Sequence, residues 1–522
     1  MEPQNQQIAA SFSEIADLLA LAGDNQFKIR AYRRAAEAVM SLDDPAADVL
    51  RQDESAIPGV GKALRTKILE MASTGRMEYL ERLRAQTPAA IVSMKSTGGR
   101  KPLYVVLPIA QHIVDELLET PGVGDVSPGG SIRRRRDTVG DIDIIAATSD
   151  ARRLMERFAS LDVFREIVSI GPARASAVTR SDIRCDLWAM PPESYWTGLH
   201  HVTGSKDHHV RLRGIAGRMG LWINEYGVFR DSGGAAVPIG SEEEIYSLLG
   251  MSYIPPELRE DRGEVQAALA KALPQIIDDG SIRGDLHTHT DWSDGTASIV
   301  QMAEAARAMG YDYLAITDHS RSLSVARGLS LEKLLNQIDE VRRADAQVGG
   351  IRILAGAEVD ILKDGRLDFP NEILERLDVV VASIHSGFQQ DRDTITGRIV
   401  AAMRNPHVDI LAHPTGRLLA RRPGYEVDID AVIREAVSTG TALEINSYPD
   451  RLDLRDVHAK AARDAGAMIS IDTDSHACGE LHNISYGVWV ARRAWLEPRH
   501  VVNAMGYDEL REWLRTHKAA RS

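Results

Sequence analysis

The chain has 522 residues, of which 44% are hydrophobic and 26% charged, a composition typical of globular proteins with several domains. Its two cysteines, Cys185 and Cys478, exclude a disulfide framework, and there is no apolar run long enough to span a membrane. The N-terminus lacks the features of a signal peptide, so we expect a reducing, cytoplasmic location and no membrane partner. The net charge of −13 argues against a protein that coats nucleic acid through bulk positive charge.

Residues 1–87 predict a helical domain, because apolar residues recur at helical spacing along them. A tight turn, Ile57-Pro58-Gly59-Val60-Gly61, precedes a further predicted helix, Lys62 to Ser73. Gly59 and Gly61 would let the backbone approach a DNA phosphate while the helix start donates N–H groups, which binds DNA without reading its sequence. The same turn would also serve simply to join two helices. A polar stretch over 88–101 then follows.

Residues 102–235 predict an α+β domain, in which a helix over 108–119 precedes several β-branched runs. Within it, Asp141 and Asp143 are two apart, so in a strand they project from one face. Two such carboxylates can hold Mg²⁺ ions that bridge a triphosphate and an attacking hydroxyl. A third carboxylate is required for this chemistry, and Asp182 and Asp186 are both candidates.

A glycine-rich turn upstream of these carboxylates suits the phosphates of a nucleotide. Gly129-Gly130-Ser131 offers backbone N–H groups and a hydroxyl, and Arg134 adds positive charge. An isolated Asp-x-Asp is usually a solvated strand edge or turn. The Gly-Ser turn upstream, together with Thr203-Gly204-Ser205 downstream, favours nucleotide binding instead.

Residues 236–283 are rich in Glu and interrupted by Pro, so we predict a linker there. Over 284–522, short apolar strands alternate with helical stretches, which is typical of a parallel sheet buried on both faces. Seven such units predict a (β/α) barrel, and the active sites of barrels lie where the strands end.

Potential metal ligands follow nearly every strand of this barrel. They are His287, His289, Asp294, His319, Glu358, His385, His413, Asp474 and His476. Mixed imidazole and carboxylate ligands suit Zn, Mn or Fe better than Ca or Mg alone. Nine ligands exceed the need of one tetrahedral ion and predict two or three ions, Mn²⁺ or Zn²⁺, that act in phosphoester hydrolysis. Any one of these histidines alone would more simply be a hydrogen-bonded core or surface residue.

The barrel ligands resemble a known set. The motifs His287-Thr-His289, Asp294-Gly295, Thr317-Asp318-His319, His413-Pro414 and Asp474-Ser-His476, with Glu358 and His385, are similar to the metal ligands of the PHP (polymerase and histidinol phosphatase) superfamily. This resemblance implies a distorted seven-stranded barrel with up to three ions. Asn446 and three arginines near strand ends could hold substrate phosphates, although a solvated loop explains the arginines equally well; they are Arg417, Arg421 and Arg422.

The middle of the chain resembles family X DNA polymerases. The matching motifs are Gly130-Ser-Ile-Arg-Arg134, Thr138-Val-Gly-Asp-Ile-Asp143, Thr203-Gly-Ser-Lys-Asp-His208, Asn224-Glu-Tyr-Gly-Val-Phe229 and Ile254-Pro-Pro-Glu-Leu-Arg-Glu260. The resemblance implies that catalysis and Mg²⁺ binding belong to Asp141, Asp143 and Asp186, and nucleotide binding to Gly130, Ser131, Arg134 and Gly140. It also favours DNA binding by Gly59, Gly61 and Lys67. Lys67 occupies the place of the Schiff-base lysine of members with lyase activity, and an exposed lysine that grips phosphate is the simpler interpretation.

Taken as a whole, the chain is identified as a member of the bacterial family X polymerases that are fused to a PHP domain. This implies a multidomain α and α/β fold, with a helical helix-hairpin-helix domain, an α+β nucleotidyltransferase palm and a seven-stranded PHP barrel. The chain departs from the family in three places. Only residues 88–101 stand where members carry a second helix-hairpin-helix segment, Trp188 replaces the usual Arg, and His201-Val202 replaces an aromatic pair.

The predicted function is a DNA polymerase with a 3′–5′ exonuclease. Its partners would be gapped or primer-template DNA and deoxynucleoside triphosphates, and its process would be gap filling in base excision repair. The alternative is a PHP-domain nuclease or phosphatase whose palm is degenerate and only binds DNA. The shortened segment between the first two domains favours this alternative.

Overall fold

The computed structural model of the chain describes residues 100–230 and 236–521, together with 26–40, 44–53, 59–80 and single positions around these N-terminal stretches. Residues Met1–Thr97 form one compact unit, and nearly all of Gly98–Ser522 form a second. No helix in the described part of the chain is long and apolar enough to cross a membrane.

The N-terminal unit is helical, as predicted. Its main helices are α1 (Gln26–Met40), α2 (Ala46–Gln52) and α3 (Lys62–Thr74). Apolar residues from all three, among them Val39, Leu50 and Ile68, share one buried core. Gly61 directly precedes α3, within a residue of the predicted helix start. Pro58 of the predicted turn lies outside the described residues.

A five-stranded mixed sheet organises the middle of the chain. Its strands are β2 (Val123–Pro128), β4 (Asp141–Thr148), β5 (Phe164–Ile170), β6 (Arg174–Thr179) and β7 (Arg184–Met190), and β1 (Lys101–Pro102) pairs with β3 (Thr138–Val139) beside them. The order is β2-β4-β7-β6-β5, in which β4 and β7 are parallel and the other pairs antiparallel. We call this region the palm.

Helices cover both faces of the palm sheet. They are α4 (Leu103–Leu118), α5 (Gly130–Arg133), α6 (Ala151–Ala159) and α7 (Tyr195–Thr203). The neighbours Ile144 and Ile145 enter two different cores, as the alternation of a strand requires. The helix predicted over 108–119 begins earlier, because Leu103 and Val106 pack into the same core and extend α4 through Pro108.

The segment predicted as a linker, 236–283, shares a buried core with the elements that precede it. It contains β10 (Ala236–Val237), α9 (Glu242–Leu248) and α10 (Glu264–Leu269), which follow α8 (Lys206–Arg218), β8 (Trp222–Asn224) and β9 (Gly227–Phe229). Ile245 and Val265 are buried together with Leu212 and Val228 of the preceding elements. The segment is therefore more than a linker, because its apolar residues complete the core that α8 begins.

The C-terminal barrel has the seven parallel strands that the sequence predicts, and they are hydrogen-bonded in chain order. They are β11 (Gly284–Thr288), β12 (Tyr313–Ile316), β13 (Arg352–Asp360), β14 (Val379–Ser383), β15 (Ile410–Leu411), β16 (Ala442–Asn446) and β17 (Ile469–Asp472). The first and last strands meet through a parallel bridge between Thr288 and Ser475 and a hydrogen bond from His289 N to Ser475 O (2.8 Å). The barrel is thereby nearly closed.

Helices separate most of the barrel strands. They are α11 (Ile299–Ala308), α12 (Leu331–Val348), α13 (Asn371–Leu374), α14 (Arg392–Met403), α15 (Ile429–Thr439) and α16 (Asp456–Ala465), and α17 (Ile484–Arg493) and α18 (Tyr507–Arg521) follow β17. The strands are buried along nearly their whole length, as their continuous apolar sequence predicts.

The start of the barrel admits only glycine. A Cβ atom on Gly284 would lie 2.3 Å from the ring of Tyr313 and 2.4 Å from its carbonyl oxygen. We expect Gly284→Ala to lower the free energy of unfolding by about 1–3 kcal/mol, because the neighbouring strand must move. Gly397→Ala in α14, where a Cβ atom would meet nothing within 4 Å, should be neutral or stabilising by up to about 1 kcal/mol. Urea unfolding of both variants checks this, and equal midpoints would contradict it.

Candidate active sites

Parallel pairing brings the predicted carboxylates of the palm together. Asp143 on β4 lies directly opposite Asp186 on β7, and Asp141 lies opposite Arg184. Since Asp141 and Asp143 are two apart on one strand, all three carboxylates share one face of the sheet. Asp182, the other candidate, lies in the turn before β7 and pairs with Arg165 instead. The structure therefore groups Asp186, and not Asp182, with the first two.

The three carboxylates repel one another. Burial, followed by the charges of Asp141 and Asp186, raises the pKa of Asp143 from 3.8 to about 7. Asp186 is partly compensated, because Arg184 Nε donates to its carboxylate at 3.0 Å and Ser176 Oγ also donates to it. This repulsion would be relieved by divalent cations, so the three side chains fit the Mg²⁺ site that the sequence predicts.

The Gly-Ser turn packs directly on this site. Gly130 has a φ of 53°, and a Cβ atom on it would lie 2.4 Å from Asp143 Oδ2. The neighbouring Gly129 N donates to Asp143 O at 2.8 Å. Only glycine allows the turn to approach Asp143 so closely, which explains why residue 130 is a glycine.

A polar cleft of about 810 Å³ opens beside the carboxylates. Gly130, Ser131 and Arg134 line it, as predicted for the nucleotide, whereas Gly140 is not among its lining residues. The cleft also carries cations that the sequence analysis did not single out: Arg100, Arg136, Lys206 and Arg213. Arg136 and Lys206 lie within or next to the quoted motifs, whereas Arg100 and Arg213 are distant from them in sequence, so no local pattern indicated that those two would line the cleft.

In the barrel, the predicted ligands converge at the ends of successive strands. Three groups have ligand atoms within 4.8 Å of one another: His289, Asp294, His319 and His476; His287, His289 and Asp474; and His319, Glu358 and His385. His289 and His319 each belong to two groups, so the groups form a connected series. His413 belongs to none of them, but its Nε2 atom lies 3.0 Å from Glu358 Oε1.

Glu358 lies at the centre of these histidines. Its Oε2 atom is 2.6 Å from His319 Nδ1 and 3.5 Å from His287 Nε2. Burial opposes the carboxylate, but the nearby imidazoles of His385, His319 and His287 outweigh it and hold the pKa of Glu358 well below 4.5. The carboxylate is thus charged and able to serve more than one ion.

Two carboxylates that the sequence analysis missed orient the histidines from behind. Glu444 Oε1 lies 2.6 Å from His287 Nδ1, and Asp360 Oδ1 lies 2.7 Å from His385 Nδ1. Each leaves the Nε2 atom of its histidine facing the ligand cluster, which is how carboxylates set the orientation of metal-bound imidazoles. Both carboxylates could have been recognised from the sequence. Glu444 interrupts the apolar strand β16, and Asp360 follows Glu358 at the spacing of two that places side chains on the same face of a strand.

The donor atoms of the cluster fit metal ions. Seven buried ones make no well-aligned hydrogen bond among the described residues, although several lie close to an oppositely charged group of the cluster: His287 Nε2, His289 Nδ1 and Nε2, His319 Nδ1, Glu358 Oε2, His413 Nδ1 and His476 Nε2. Buried polar atoms are rarely left unpaired unless something else binds them. Burial and the neighbouring imidazoles of His319 and His476 lower the pKa of His289 to about 3, which keeps it neutral and able to bind a metal.

In the N-terminal unit, the predicted DNA-binding residues lie around the start of α3. Gly59 has a φ of 75°, and Gly61 caps the helix with an extended backbone. Lys67 Nζ lies 4.8 Å from the centre of the Tyr79 ring and 5.8 Å from that of Tyr32. Burial, together with nearby positive charge, lowers the pKa of Lys67 from 10.5.

Comparison with known proteins relates the whole chain to one family. Three family models match: a helix-hairpin-helix domain over residues 3–77, the DNA polymerase beta thumb over 198–260 and the PHP domain over 285–447. The "DNA polymerase/3'-5' exonuclease PolX" of Bacillus subtilis (strain 168) is 36% identical, over 96% of this chain and 97% of that protein. The chain belongs to the PolX family. This confirms the resemblance found in the sequence.

Other relatives of this PolX-family chain match less than half of it. A "Probable phosphatase" of Thermoanaerobacter sp. (strain X514) is 30% identical over 45% of this chain and 95% of its own length. Another, of Acetivibrio thermocellus, is 35% identical over 38% of this chain and 80% of its own length. The thumb model spans 198–260 and so crosses the predicted boundary at residue 235, in agreement with the shared core around Ile245.

Two departures from the PolX family pattern lie at the palm site. The guanidinium of Arg174 lies over the ring of Trp188 on β7, with its Cζ atom 3.4 Å from the ring centre. His201 and Val202, which stand where the resemblance predicts an aromatic pair, line the cleft. The alignment with the Bacillus subtilis protein spans 559 residues, more than this chain has, so that relative carries residues without a counterpart here. Most of 88–101, where the shortening is predicted, lies outside the described residues.

Arg417, a candidate phosphate ligand, is hydrogen-bonded to other groups of the protein. Its Nη1 atom donates to Asp137 Oδ2 at 3.0 Å, and its other nitrogens donate to Leu452 O. Asn446 does lie at the cluster, with Nδ2 3.2 Å from Asp474 Oδ2. Arg451, which the sequence analysis did not consider, reaches the same carboxylate at 3.5 Å.

The repulsion among the palm carboxylates predicts a stability that depends on pH. The pKa of Asp143 is about 7 in the fold and near 3.8 in the unfolded chain, so its charged form destabilises the fold increasingly as pH rises from about 4 through 7. Without divalent ions, Asp143→Asn should therefore raise the melting temperature of the palm at pH 8 by a few degrees and by less at pH 5.5. Calorimetry in EDTA at both pH values checks this, and a gain that is larger at pH 5.5 would contradict it.

Because some histidines belong to two ligand groups, we predict that substitutions of different ligands remove different numbers of metal ions. His289 belongs to two ligand groups and His385 to one, so His289→Ala should retain fewer bound ions per chain than His385→Ala. The measurement is metal content after dialysis against metal-free buffer, with circular dichroism to verify folding. Equal metal content in the two variants would show that the groups do not bind separate ions.

Proposed function

We propose that this chain extends DNA primers at its palm site and removes nucleotides from 3′ ends at its barrel site. The relative that matches nearly the whole chain is named a DNA polymerase and 3'-5' exonuclease. The single observation that carries the proposal is the presence of two separate clusters of ion-binding side chains, one on the parallel pair β4–β7 and one at the strand ends of the barrel.

At the palm, the proposed role of the carboxylates and arginines is to bind ions and charged groups of the substrate. Asp141, Asp143 and Asp186 would hold Mg²⁺, and Asp186 would help to activate the attacking 3′-hydroxyl. Arg134 and Arg136 line the cleft and would attract the triphosphate of an incoming deoxynucleotide. Divalent ions bound at either site neutralise charge on the phosphoryl group and lower the pKa of the attacking hydroxyl or water.

At the barrel, Mn²⁺ or Zn²⁺, two or three ions, would be held by the nine predicted ligands. Glu444 and Asp360 keep the imidazoles of His287 and His385 oriented toward these ions. Arg451 and Asn446, which contact Asp474, are placed to bind a phosphate of the substrate. The barrel can thus bind a phosphodiester with both positive charge and hydrogen-bond donors.

The N-terminal unit would supply affinity for DNA. Lys28, Lys67 and Arg82 each lie within 5.4 Å of the centre of the Tyr79 ring, which concentrates positive charge on one side of the unit. Together with the turn at Gly59 and Gly61, this charge favours binding to the phosphate backbone. The substrate we infer is gapped or primer-template DNA, and the process is gap filling in base excision repair.

Two variants should separate the activities. Asp141→Ala should abolish extension of a primer at a short gap and leave 3′–5′ degradation intact, because it touches only the palm cluster. His287→Ala should abolish degradation and leave extension intact. Asp182→Ala is the matched control in the palm: it removes a carboxylate that pairs with Arg165, so both activities should remain. The assay uses a labelled one-nucleotide gap with Mg²⁺ or Mn²⁺.

The outcome that would overturn the polymerase half is clear. If the unmodified chain incorporates no nucleotide with either ion while degradation persists, the palm only binds DNA and the protein is a nuclease. If Asp141→Ala removes both activities although the protein is folded, the two clusters do not act separately.

A further inference from the structure

The palm segment Arg134–Asp137, directly after α5, lies against the C-terminal barrel. Arg493 and Trp489 of α17 reach it, and so does Arg417 from the loop after β15. Trp489 also packs against the apolar core of the palm. The barrel thus touches the segment that brings two arginines to the nucleotide cleft.

Arg493 makes the most extensive of these contacts. Its Nη1 atom donates to Arg134 O at 2.7 Å and to Glu260 Oε1 at 3.1 Å, while Nη2 donates to Asp456 Oδ2 at 2.7 Å. Its side chain is only 3% exposed. Burial opposes its charge, but Asp456 and Glu260 outweigh this and raise the pKa of Arg493 above its usual value. A buried guanidinium with three acceptors is fixed in position.

Glu260 connects Arg493 to two arginines of the cleft. Its Oε1 atom accepts from Arg134 Nε at 3.0 Å, and its Oε2 atom accepts from Arg136 Nη1 at 3.1 Å. Both arginines line the cleft beside the palm carboxylates. Arg493 therefore holds the carboxylate that in turn holds the two cleft arginines.

The remaining two residues of the segment face the barrel. Arg135 has a φ of 53°, and its guanidinium lies 4.2 Å from the centre of the Trp489 ring. Asp137 accepts from Arg417 Nη1 at 3.0 Å. Neither Arg135 nor Asp137 is among the residues that line the cleft. The segment therefore alternates between cleft and barrel.

The charges around Arg493 do not balance within the cluster. Four guanidinium groups share two carboxylates there: Arg134, Arg136, Arg262 and Arg493 against Glu260 and Asp456. Asp141 and Asp143 line the same cleft as Arg134 and Arg136, so the palm carboxylates offset part of this surplus. Divalent ions held by those carboxylates would leave the charge of the arginines available to attract a triphosphate.

We propose that Arg493 is a positioning residue for nucleotide binding, so that the nuclease barrel sets the affinity of the palm for deoxynucleoside triphosphates. The inference rests on the proposed polymerase activity. Through Glu260 and the Arg134 carbonyl, Arg493 holds the cleft arginines in the geometry that the triphosphate needs before it binds. Without this support the arginines keep their charge but lose their fixed position.

The test uses the full chain and Arg493→Met. We expect the dissociation constant for a deoxynucleoside triphosphate, measured on gapped DNA with a dideoxy-terminated primer, to rise about tenfold, the loss of roughly one charge-assisted hydrogen bond. The KM for the triphosphate should rise equally and kcat should change by less than about threefold, since the carboxylates are untouched. Degradation by the barrel should be unchanged, which shows that the variant is folded.

Arg492→Met is the matched control. Arg492 is the preceding residue of α17 and donates to Glu257 Oε1 at 2.7 Å and Ile277 O at 2.9 Å; these hydrogen bonds do not involve Arg134–Asp137, although its charge acts on that of Arg135. The triphosphate affinity of this variant should remain within about twofold of that of the unmodified chain, because Glu260 keeps its hydrogen bonds to Arg134 and Arg136. A second variant, Arg135→Ala, removes the contact with Trp489 and the weaker attraction to Glu257 and Asp279, and it should raise the dissociation constant by about threefold, as expected for one cation–π contact.

The outcomes separate cleanly. If Arg493→Met binds the triphosphate as Arg492→Met does, the proposal is overturned. If Arg493→Met loses barrel activity through misfolding, Arg135→Ala decides: raised KM without a fall in kcat supports the proposal, and an unchanged KM rejects it. A fall in kcat alone in either variant would indicate loss of active protein and also reject it. If the unmodified chain extends no primer, the proposed function fails and this inference falls with it.

Discussion

Parallel pairing of strands is the constraint on which both sites depend. Neighbouring parallel strands run in the same direction, so polar residues at equivalent positions meet at one edge or on one face. In the palm this pairing sets Asp143 opposite Asp186, and in the barrel it carries residues from β11 to β17 to the same end. Groups more than a hundred residues apart thereby become neighbours without any local motif that joins them.

Such gathering of like charges is unfavourable unless a counterion is present. The pKa of Asp143 rises to about 7 because burial and two neighbouring carboxylates disfavour its charge. The barrel differs, because imidazoles alternate with carboxylates there and the pKa of Glu358 falls. The potential ligands of the palm are thus all carboxylate oxygens, which suit Mg²⁺, whereas the barrel offers the mixed nitrogen and oxygen ligands that suit Mn²⁺ or Zn²⁺.

The two sites are not structurally independent. The segment after the Gly-Ser turn contacts both the cleft and the barrel, and Arg493 links them through a buried network of ion pairs. Buried ion pairs contribute little net stability, because desolvation offsets their attraction, but they fix geometry. The barrel is therefore also part of the scaffold that holds the palm cleft.

Much of this protein followed from its sequence. The alternation of apolar strands and helices predicted the seven parallel strands, and the family resemblance and helical N-terminus were confirmed. The roles of the nine barrel ligands and of the palm triad remain predictions. The structure nevertheless brings eight of the barrel residues, all except His413, into groups close enough to share a metal ion. It also places the three palm carboxylates on one face of the sheet. These features rest on local periodicity and on short motifs, which a sequence contains explicitly.

Other features were decided by tertiary structure alone. The core within 236–283 depends on partners before residue 230, such as Leu212 and Val228. Glu444 behind His287, the cations of the cleft and the contacts of Arg493 join residues that are distant in the chain. A sequence fixes which side chains exist and their local spacing, but long-range contacts arise only when the packing of the whole chain selects one arrangement of its strands and helices.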